Sequence, residues 1–202
     1  MAIIKHGNNA LSAVTAFPSA VPTGKPVLLS TSTASSSASI EFTSGIDSTY
    51  DVYQFEFINI HPATDNTDFQ FNLSIDSGSN YNVTKTTTFF RPFQQEGAEE
   101  TGALEYIAPE DLAQSTAFQS LADRVDNDSS CSGTLHLFNP SSTTFVKHFM
   151  SNFNRVFGGS PIQANDYMAG YGNTTSAVDA IQFKFASGDI DAGSIKMYGI
   201  SA

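Results

Sequence analysis

The sequence contains no tryptophan and a single cysteine among its 202 residues, and only 14% of the residues are charged. One cysteine, Cys131, cannot form an intramolecular disulfide, so the fold does not depend on an oxidising compartment. Cys131 lies in a polar stretch that predicts a loop, without a neighbouring base, which disfavours a catalytic thiol.

Basic residues are also scarce, since nine lysines and arginines stand against twenty acidic residues and the net charge is −11. Sequence-independent nucleic-acid binding and docking on anionic membranes both need lysine and arginine. We therefore expect a protein that binds no nucleic acid and inserts into no membrane. No run approaches the roughly 20 apolar residues of a membrane span. The first ten residues lack the apolar region of a secretory signal, which predicts synthesis in a cytoplasm.

The familiar catalytic motifs are missing as well: the sequence has no G-x-S-x-G, P-loop, G-x-G-x-x-G or H-E-x-x-H pattern. The four histidines are scattered, and His136 and His148 on neighbouring predicted strands are more typical of solvated or hydrogen-bonded strand residues than of a zinc site. The acidic triplet 126–128 could bind calcium, but it lacks the rest of the EF-hand pattern. We expect no enzyme and no cofactor.

Aromatic residues are plentiful, with 17 Phe and 7 Tyr, and they alternate with polar residues. Near the carboxyl end, Ile181, Phe183 and Phe185 follow the period of a half-buried strand, and a second alternating run ends at residue 200. The segment 40–60 has the same pattern. We expect it to pair with the closing strands, so that the end of the chain closes a sandwich.

Further strands follow at the spacing of a sandwich. The run 68–76 predicts four inward apolar and three outward polar side chains: Phe69, Phe71, Leu73 and Ile75 against Gln70, Asn72 and Ser74. The residues 76–80 predict a hairpin loop, after which 81–90 returns as a threonine-rich strand. About ten strands in all predict an all-β, jelly-roll-like antiparallel β-sandwich. The spacing of Phe118, Leu121 and Val125 predicts one short helix near 115–125.

The first 37 residues differ from the rest, with three prolines and a run of Ser, Thr and Ala. They predict an extended N-terminal arm or tether over 1–37, ahead of a sandwich over 38–202. Such a segment is either disordered or ordered against a partner. The apolar residues Ile3 and Ile4 favour the second alternative, with Ile3, Ile4, Lys5 and His6 as partner-binding residues.

Several tyrosines are candidates for stacking on sugar rings, from loops rich in Tyr and Asp at one end of the sandwich; half-buried packing is the alternative. They are Tyr50, Tyr53, Tyr81, Tyr106, Tyr167 and Tyr171. Paired carboxylates would suit a polysaccharide-degrading enzyme, but the sequence does not show that any two lie close together.

Five stretches carry a resemblance to a known group of proteins. They are T-A-S-S-S-A-S-I-E-F-T-S-G-I-D-S-T-Y (33–50), F-I-N-I-H-P-A-T-D-N (57–66), D-S-G-S-N-Y-N-V-T-K-T-T-T-F-F (76–90), L-H-L-F-N-P-S-S-T-T-F-V-K-H-F (135–149) and A-I-Q-F-K-F-A-S-G-D-I-D-A-G-S-I-K-M-Y-G-I (180–200). On these the chain resembles virion structural proteins of tailed marine bacteriophages, cyanophages especially. The closing S-G-x-I-x-x-G-x-x-K-x-Y-G-I signature is the most distinctive part.

The resemblance implies a non-enzymatic virion component with a jelly-roll-like sandwich. It implies a capsid-decorating protein or head fibre anchored by the N-terminal arm, made in the host cytoplasm and bound to other virion proteins. A homo-oligomer, with a trimer favoured, is expected. The alternative is a tail-fibre or receptor-binding adhesin that recognises host surface glycans.

Overall fold

The computed structural model describes residues 25–97, 102–157 and 162–201, which form twelve β-strands and one turn of 3-10 helix. In chain order the strands are β1 (Val27–Thr33), β2 (Ile40–Phe42), β3 (Val52–Pro62), β4 (Thr67–Ser74), β5 (Lys85–Gln95), β6 (Ala103–Tyr106), β7 (Gln119–Val125), β8 (Cys131–Phe138), β9 (Lys147–Val156), β10 (Ile162–Gly172), β11 (Ala180–Phe185) and β12 (Ile190–Ile200). The helical turn is Ala108–Glu110. No helix within these ranges is long and apolar enough to cross a membrane.

The strands form two antiparallel sheets that pack face to face. The larger sheet has eight strands in the order β1-β12-β3-β8-β9-β10-β5-β6, and the smaller has four in the order β2-β11-β4-β7. The prediction of an all-β sandwich is therefore confirmed, with twelve described strands where about ten were expected. The narrower jelly-roll description stays a prediction.

The closing strands lie where the sequence predicts. β11 pairs with β2, with Phe183 opposite Ile40, and β12 pairs with β3, with Met197 opposite Phe55. The alternating apolar side chains of both closing strands are buried. The segment 40–60 is thus the partner of the chain's end, but it is divided between the two sheets.

The core between the sheets is a cluster of phenylalanine rings. Phe57 of the larger sheet lies 4.9 Å from Phe153 and 4.9 Å from Phe183, measured between ring centroids. Phe69 of the smaller sheet lies 5.1 Å from Phe185. The rings are tilted or edge-to-face, a geometry that adds roughly 0.5–1.5 kcal/mol per pair to the burial of their surface. This cluster joins the two sheets.

The predicted helix near 115–125 is wrong, because Gln119–Val125 forms β7 at the edge of the smaller sheet. Register shifts interrupt the pairing of β7 with β4, and both Leu121 and Ala122 are fully buried. A bulge of this kind breaks the period of two. The apolar residues then fall at a spacing that imitates a helix.

The predicted hairpin at 76–80 is also wrong. β4 belongs to the smaller sheet and β5 to the larger, so the segment between them crosses from one sheet to the other. β4 ends at Ser74, and Ile75, predicted inward, is 43% exposed. Asn72 and Ser74, predicted outward, are buried. The crossing segment covers Asn72, whose amide donates to the carbonyl of Tyr81 (2.7 Å).

Three further predictions concern the N-terminal arm, its four partner-binding residues and Cys131. Val27–Thr33, inside the predicted arm, pairs with β12 as an edge strand of the larger sheet. Ile3, Ile4, Lys5 and His6 lie outside the described residues. Cys131, predicted in a loop, is fully buried as the first residue of β8, and burial raises the pKa of its thiol.

Candidate binding face

The outer face of the larger sheet carries two adjoining cavities over β5, β8, β9 and β10. The first holds about 440 Å³ and the second about 400 Å³. Phe138 and Met150 line both cavities, so the two are continuous along the face. Because side chains alternate along a strand, the inward neighbours of these residues, such as Leu137 and Phe149, fill the core instead.

Strand register builds the first cavity. Tyr171 of β10 lies opposite Thr86 of β5 and opposite His148 of β9. In the next row Ala169 lies opposite Thr88 and opposite Met150. The small alanine side chain between larger neighbours leaves the depression. The rings of His148 and Tyr171 are tilted at 56°, with centroids 6.2 Å apart.

Tyr171 is held in place from outside the sheet. The amide of Gln114 donates to the Tyr171 hydroxyl (3.2 Å) and to the Thr86 hydroxyl (2.7 Å). The Asn173 amide in turn donates to Gln114 Oε1 (2.7 Å). This chain of hydrogen bonds fixes one wall of the first cavity.

The second cavity is built from the neighbouring rows of the same strands. Its lining includes Thr134, His136, Asn152 and Tyr167. The Tyr167 ring stacks on Phe90 at a centroid distance of 5.1 Å and an interplanar angle of 8°. The Tyr167 hydroxyl accepts a hydrogen bond from the Asn165 amide (2.8 Å). This tyrosine therefore presents a fixed ring rather than a mobile one.

None of the described side chains that line the two cavities is Asp, Glu, Lys or Arg. The nearest charged position in register is Glu56 of β3, opposite Thr134, and Lys196 of β12 follows opposite Glu56. The charged half of the outer face thus lies towards β1, and the uncharged aromatic half lies over β8, β9, β10 and β5. Such a surface can stack against an apolar face of a ligand and hydrogen-bond to its uncharged polar groups.

The two strand histidines lie on neighbouring strands, as the sequence predicts, but they line different cavities. His136 is opposite Met150 in the register of β8 and β9, whereas His148 is opposite Tyr171. His136 Nε2 lies 3.2 Å from Gln54 Oε1, and burial lowers the pKa of His136. His136 is thus hydrogen-bonded and His148 is exposed to solvent.

The six candidate tyrosines separate into different environments. Tyr53 is fully buried, and its hydroxyl donates to the carbonyl of Asp47 (3.0 Å), so its ring cannot stack on a ligand. Tyr81 lies in the loop that crosses between the sheets, and its hydroxyl donates to Glu41 of β2 (3.3 Å). Tyr167 and Tyr171 lie within β10 on the outer face, not at a loop end. Tyr106 of β6 lies opposite Phe90 at the sheet edge, and the Tyr50 ring packs edge-to-face on Tyr53, with centroids 6.0 Å apart.

No family model, no curated protein and no solved structure matches the chain. The function proposed below therefore rests on geometry and on the sequence resemblance.

A group of charged side chains, the ionic cluster, lies between the sheets and includes Arg91, Asp123, Arg155 and Asp166, all buried. Arg155 Nε donates to Asp166 Oδ2 (2.5 Å), and Arg91 pairs with Asp123. The guanidinium of Arg155 also lies 4.0 Å from the centroid of the Phe157 ring. Each of these four charged side chains thus has a partner of opposite charge, as burial requires.

Three carboxylates of this region, those of Asp68, Glu110 and Asp123, each place one oxygen within 4.8 Å of the others. Burial raises the pKa of Glu110 to about 7 and raises the pKa of Asp68. Arg91, Arg124 and Arg155 all pair with Asp123 and already neutralise it. The cluster therefore forms an ionic link between the sheets.

The triplet considered for calcium closes a turn with its own groups. Asp126 Oδ1 accepts a hydrogen bond from the backbone of Asp128 (2.8 Å), and the Asp126 carbonyl accepts one from Ser129 (3.3 Å). These bonds are the ordinary chemistry of an Asx turn. They account for the acidic triplet without a cation.

The sequence analysis did not single out Lys85, which is fully buried. Its ammonium nitrogen donates to Asn72 Oδ1 (2.5 Å) and to the carbonyl of Val83 (2.9 Å), and burial lowers its pKa to about 7. The alternation of β5 predicts this burial, because Lys85 falls on the same side of the strand as Thr87 and Phe89, whose side chains point inward.

Proposed function

We propose that the chain is a non-enzymatic bacteriophage virion structural protein, a jelly-roll-like sandwich held on the particle by its N-terminal residues. A capsid-decorating protein or head fibre is the favoured form, made in the host cytoplasm and bound to other virion proteins. A homo-oligomer, with a trimer favoured, completes the proposal.

The observation that carries this proposal is the position of β1. β1 is an edge strand, and Val27 lies opposite Gly199 of β12, so both ends of the described chain meet at one corner of the larger sheet. The residues that precede Val27 join the sandwich at that corner. Attachment through them would hold the molecule by one edge.

The opposite edge would then project from the particle. Seven strand spacings of about 4.8 Å separate β1 from β6, a distance of roughly 34 Å. The two cavities lie over β8, β9, β10 and β5, four of the five strands nearest the β6 edge. This arrangement suits an appendage with one attached edge and one exposed edge.

The test is to replace residues 1–20 by a glycine–serine segment of equal length and to measure incorporation into particles. We expect incorporation to fall at least tenfold, while the sandwich keeps its thermal unfolding midpoint. Tyr198→Ala, on the outer face of β12, serves as the control and should incorporate normally. Unchanged incorporation of the replaced chain would contradict attachment through the N-terminus.

Gold-labelled antibodies on intact particles then locate the protein. Label over heads supports the decorating form, and label at the tail tip supports the adhesin form. Particles without label at either place would overturn the virion proposal as a whole.

The second candidate function is a tail-fibre or receptor-binding adhesin that recognises host surface glycans. The uncharged aromatic half of the outer face favours it, because sugars present both apolar C–H faces and uncharged hydroxyls to a protein. The two forms differ in where the protein lies on the particle and share the attached edge.

A further inference from the structure

We propose that the two adjoining cavities on the outer face of the larger sheet form one site for an uncharged polysaccharide chain, laid across β8, β9, β10 and β5. The inference rests on the adhesin form of the proposed function and adds to it the location of the site and the charge class of the ligand.

The first argument is the shape of the surface. The cavities hold about 440 and 400 Å³, each within the usual range of ligand sites, and they share Phe138 and Met150. The four strands span three spacings of about 4.8 Å, or roughly 14 Å across the face. A continuous surface of this length suits a chain of several sugar rings better than one small molecule.

The second argument is charge. The described lining contains Thr, Ser, Asn, His, Tyr, Phe, Met, Ala and Gly but no residue with a fixed charge. The chain as a whole carries a net charge of −11, which repels an anionic polymer. No lysine or arginine of the lining would neutralise a sulfate or a carboxylate of a ligand, which favours an uncharged occupant.

The third argument is the pattern of the lining. The rings of Tyr171, Phe138 and Tyr167 provide stacking surfaces, and the hydroxyls and amides of Thr86, Thr134 and Asn152 lie among them. Sugars carry apolar C–H faces bordered by hydroxyls, and this mixture matches them. A second protein copy would be expected to meet a more continuous apolar patch at the centre of its interface.

The aromatic walls are already ordered for binding. Gln114, itself held by Asn173, donates to the Tyr171 hydroxyl, while Phe90 and Asn165 hold Tyr167. Fixed rings lose little conformational entropy when a ligand binds. Tyr171 is therefore the residue whose removal should cost most.

The experiment is affinity electrophoresis of the full chain through gels that contain a soluble neutral polysaccharide: an α-glucan, a β-glucan, a galactan or a mannan. We expect at least one of these to retard the protein, and the carboxymethylated form of the same polymer to retard it far less. Tyr171→Ala should weaken the retardation about tenfold, in line with the loss of one stacked ring. Ala169→Trp, at an exposed position, should abolish it by filling the first cavity.

Tyr198→Ala is the matched control, since Tyr198 is also a half-buried tyrosine on the outer face of the same sheet, but on β12. It should bind as the unchanged chain does, and all variants should keep their unfolding midpoints. No retardation by any neutral polymer, equal binding of the carboxymethylated form, or equal loss in Tyr198→Ala would overturn the proposal. A changed oligomeric state in Tyr171→Ala, without any glycan effect, would assign the face to a second copy and also overturn it.

Failure here is distinct from failure of the virion proposal. Incorporation of Tyr171→Ala into particles measures attachment independently of glycan binding, because Tyr171 lies on β10 in the half of the sheet away from β1. Normal incorporation without glycan binding would remove the polysaccharide site and leave the structural role standing.

Discussion

Lys85 is a buried lysine whose ammonium group has backbone and amide oxygens for partners. Asn72 Oδ1 and the Val83 carbonyl accept its hydrogen bonds, and burial lowers its pKa from 10.5 to about 7. Between these two values the folded chain has lost the proton and the unfolded chain retains it. Stability therefore rises with pH in that window, because the unfolded state binds more protons.

We predict that the free energy of unfolding increases between pH 7 and pH 9 by about 2 kcal/mol more in the unchanged chain than in Lys85→Met. Urea unfolding at the two pH values measures the difference. Lys196→Met, on the outer face of β12, is the control and should change the pH dependence little. Parallel pH profiles for the unchanged chain and Lys85→Met would show that Lys85 is charged in the folded protein at neutral pH.

At the scale of single elements, β11 is the strand on which the smaller sheet and much of the core depend. It lies between β2 and β4. Its residue Phe183 contacts Phe55 and Phe57 of the larger sheet, with ring centroids 5.4 and 4.9 Å away. One side chain therefore links the middle of both sheets.

Phe183→Ala should lower the free energy of unfolding by about 3–5 kcal/mol, the usual cost of removing a buried phenylalanine and leaving a cavity. Lys184→Ala, its outward neighbour, loses only a contact with the Phe118 ring (4.3 Å) and should cost under about 1 kcal/mol. Denaturant unfolding of both variants compares them. Similar losses in the two would contradict the placement of Phe183 at the centre of the core.

The same elements show how far the sequence could predict the fold. The closing strands and their partners were predictable, because apolar and polar residues alternate through 181–185 and again through 195–198, and the apolar side chains of one face all belong to the core. β7 was not, because its bulge imitates helical spacing. The crossing at 76–84 was missed since loop chemistry predicts a turn but not which sheet receives the next strand.

The binding face was predictable only in part. Alternation identifies Tyr171, His148 and Phe138 as outward residues, given the inward position of their neighbours. Their meeting in one cavity depends on the register of β8, β9 and β10, which long-range packing decides. Ala169 gives no signal in the sequence at all, because its importance lies in the size of the residues around it.

At the scale of the whole molecule, the aromatic core and the ionic cluster both join the larger sheet to the smaller. Phe57 and Phe69 belong to different sheets and lie 5.6 Å apart, and Arg155 of β9 pairs with Asp123 of β7. Neither sheet can separate without exposing rings and buried charges to water. The two sheets should therefore unfold together.

We predict a single cooperative thermal transition for the full chain, with calorimetric and van't Hoff enthalpies that agree. Near-ultraviolet circular dichroism, which reports the packed rings, should follow the same curve as the far-ultraviolet signal of the strands. Two separate transitions would show that one sheet is stable without the other.

The pairing of β1 with β12 has a consequence for folding during translation. Among the described strands, β1 pairs only with β12 and β2 pairs only with β11. These two early strands therefore cannot pair within their sheets until the last two strands have been translated. Non-local pairing of this kind delays folding, and open strand edges invite pairing with other chains. Each copy therefore closes late, after translation has passed Ile190. A nascent chain interrupted before that point carries its first strand unpaired, as a free edge for its neighbours.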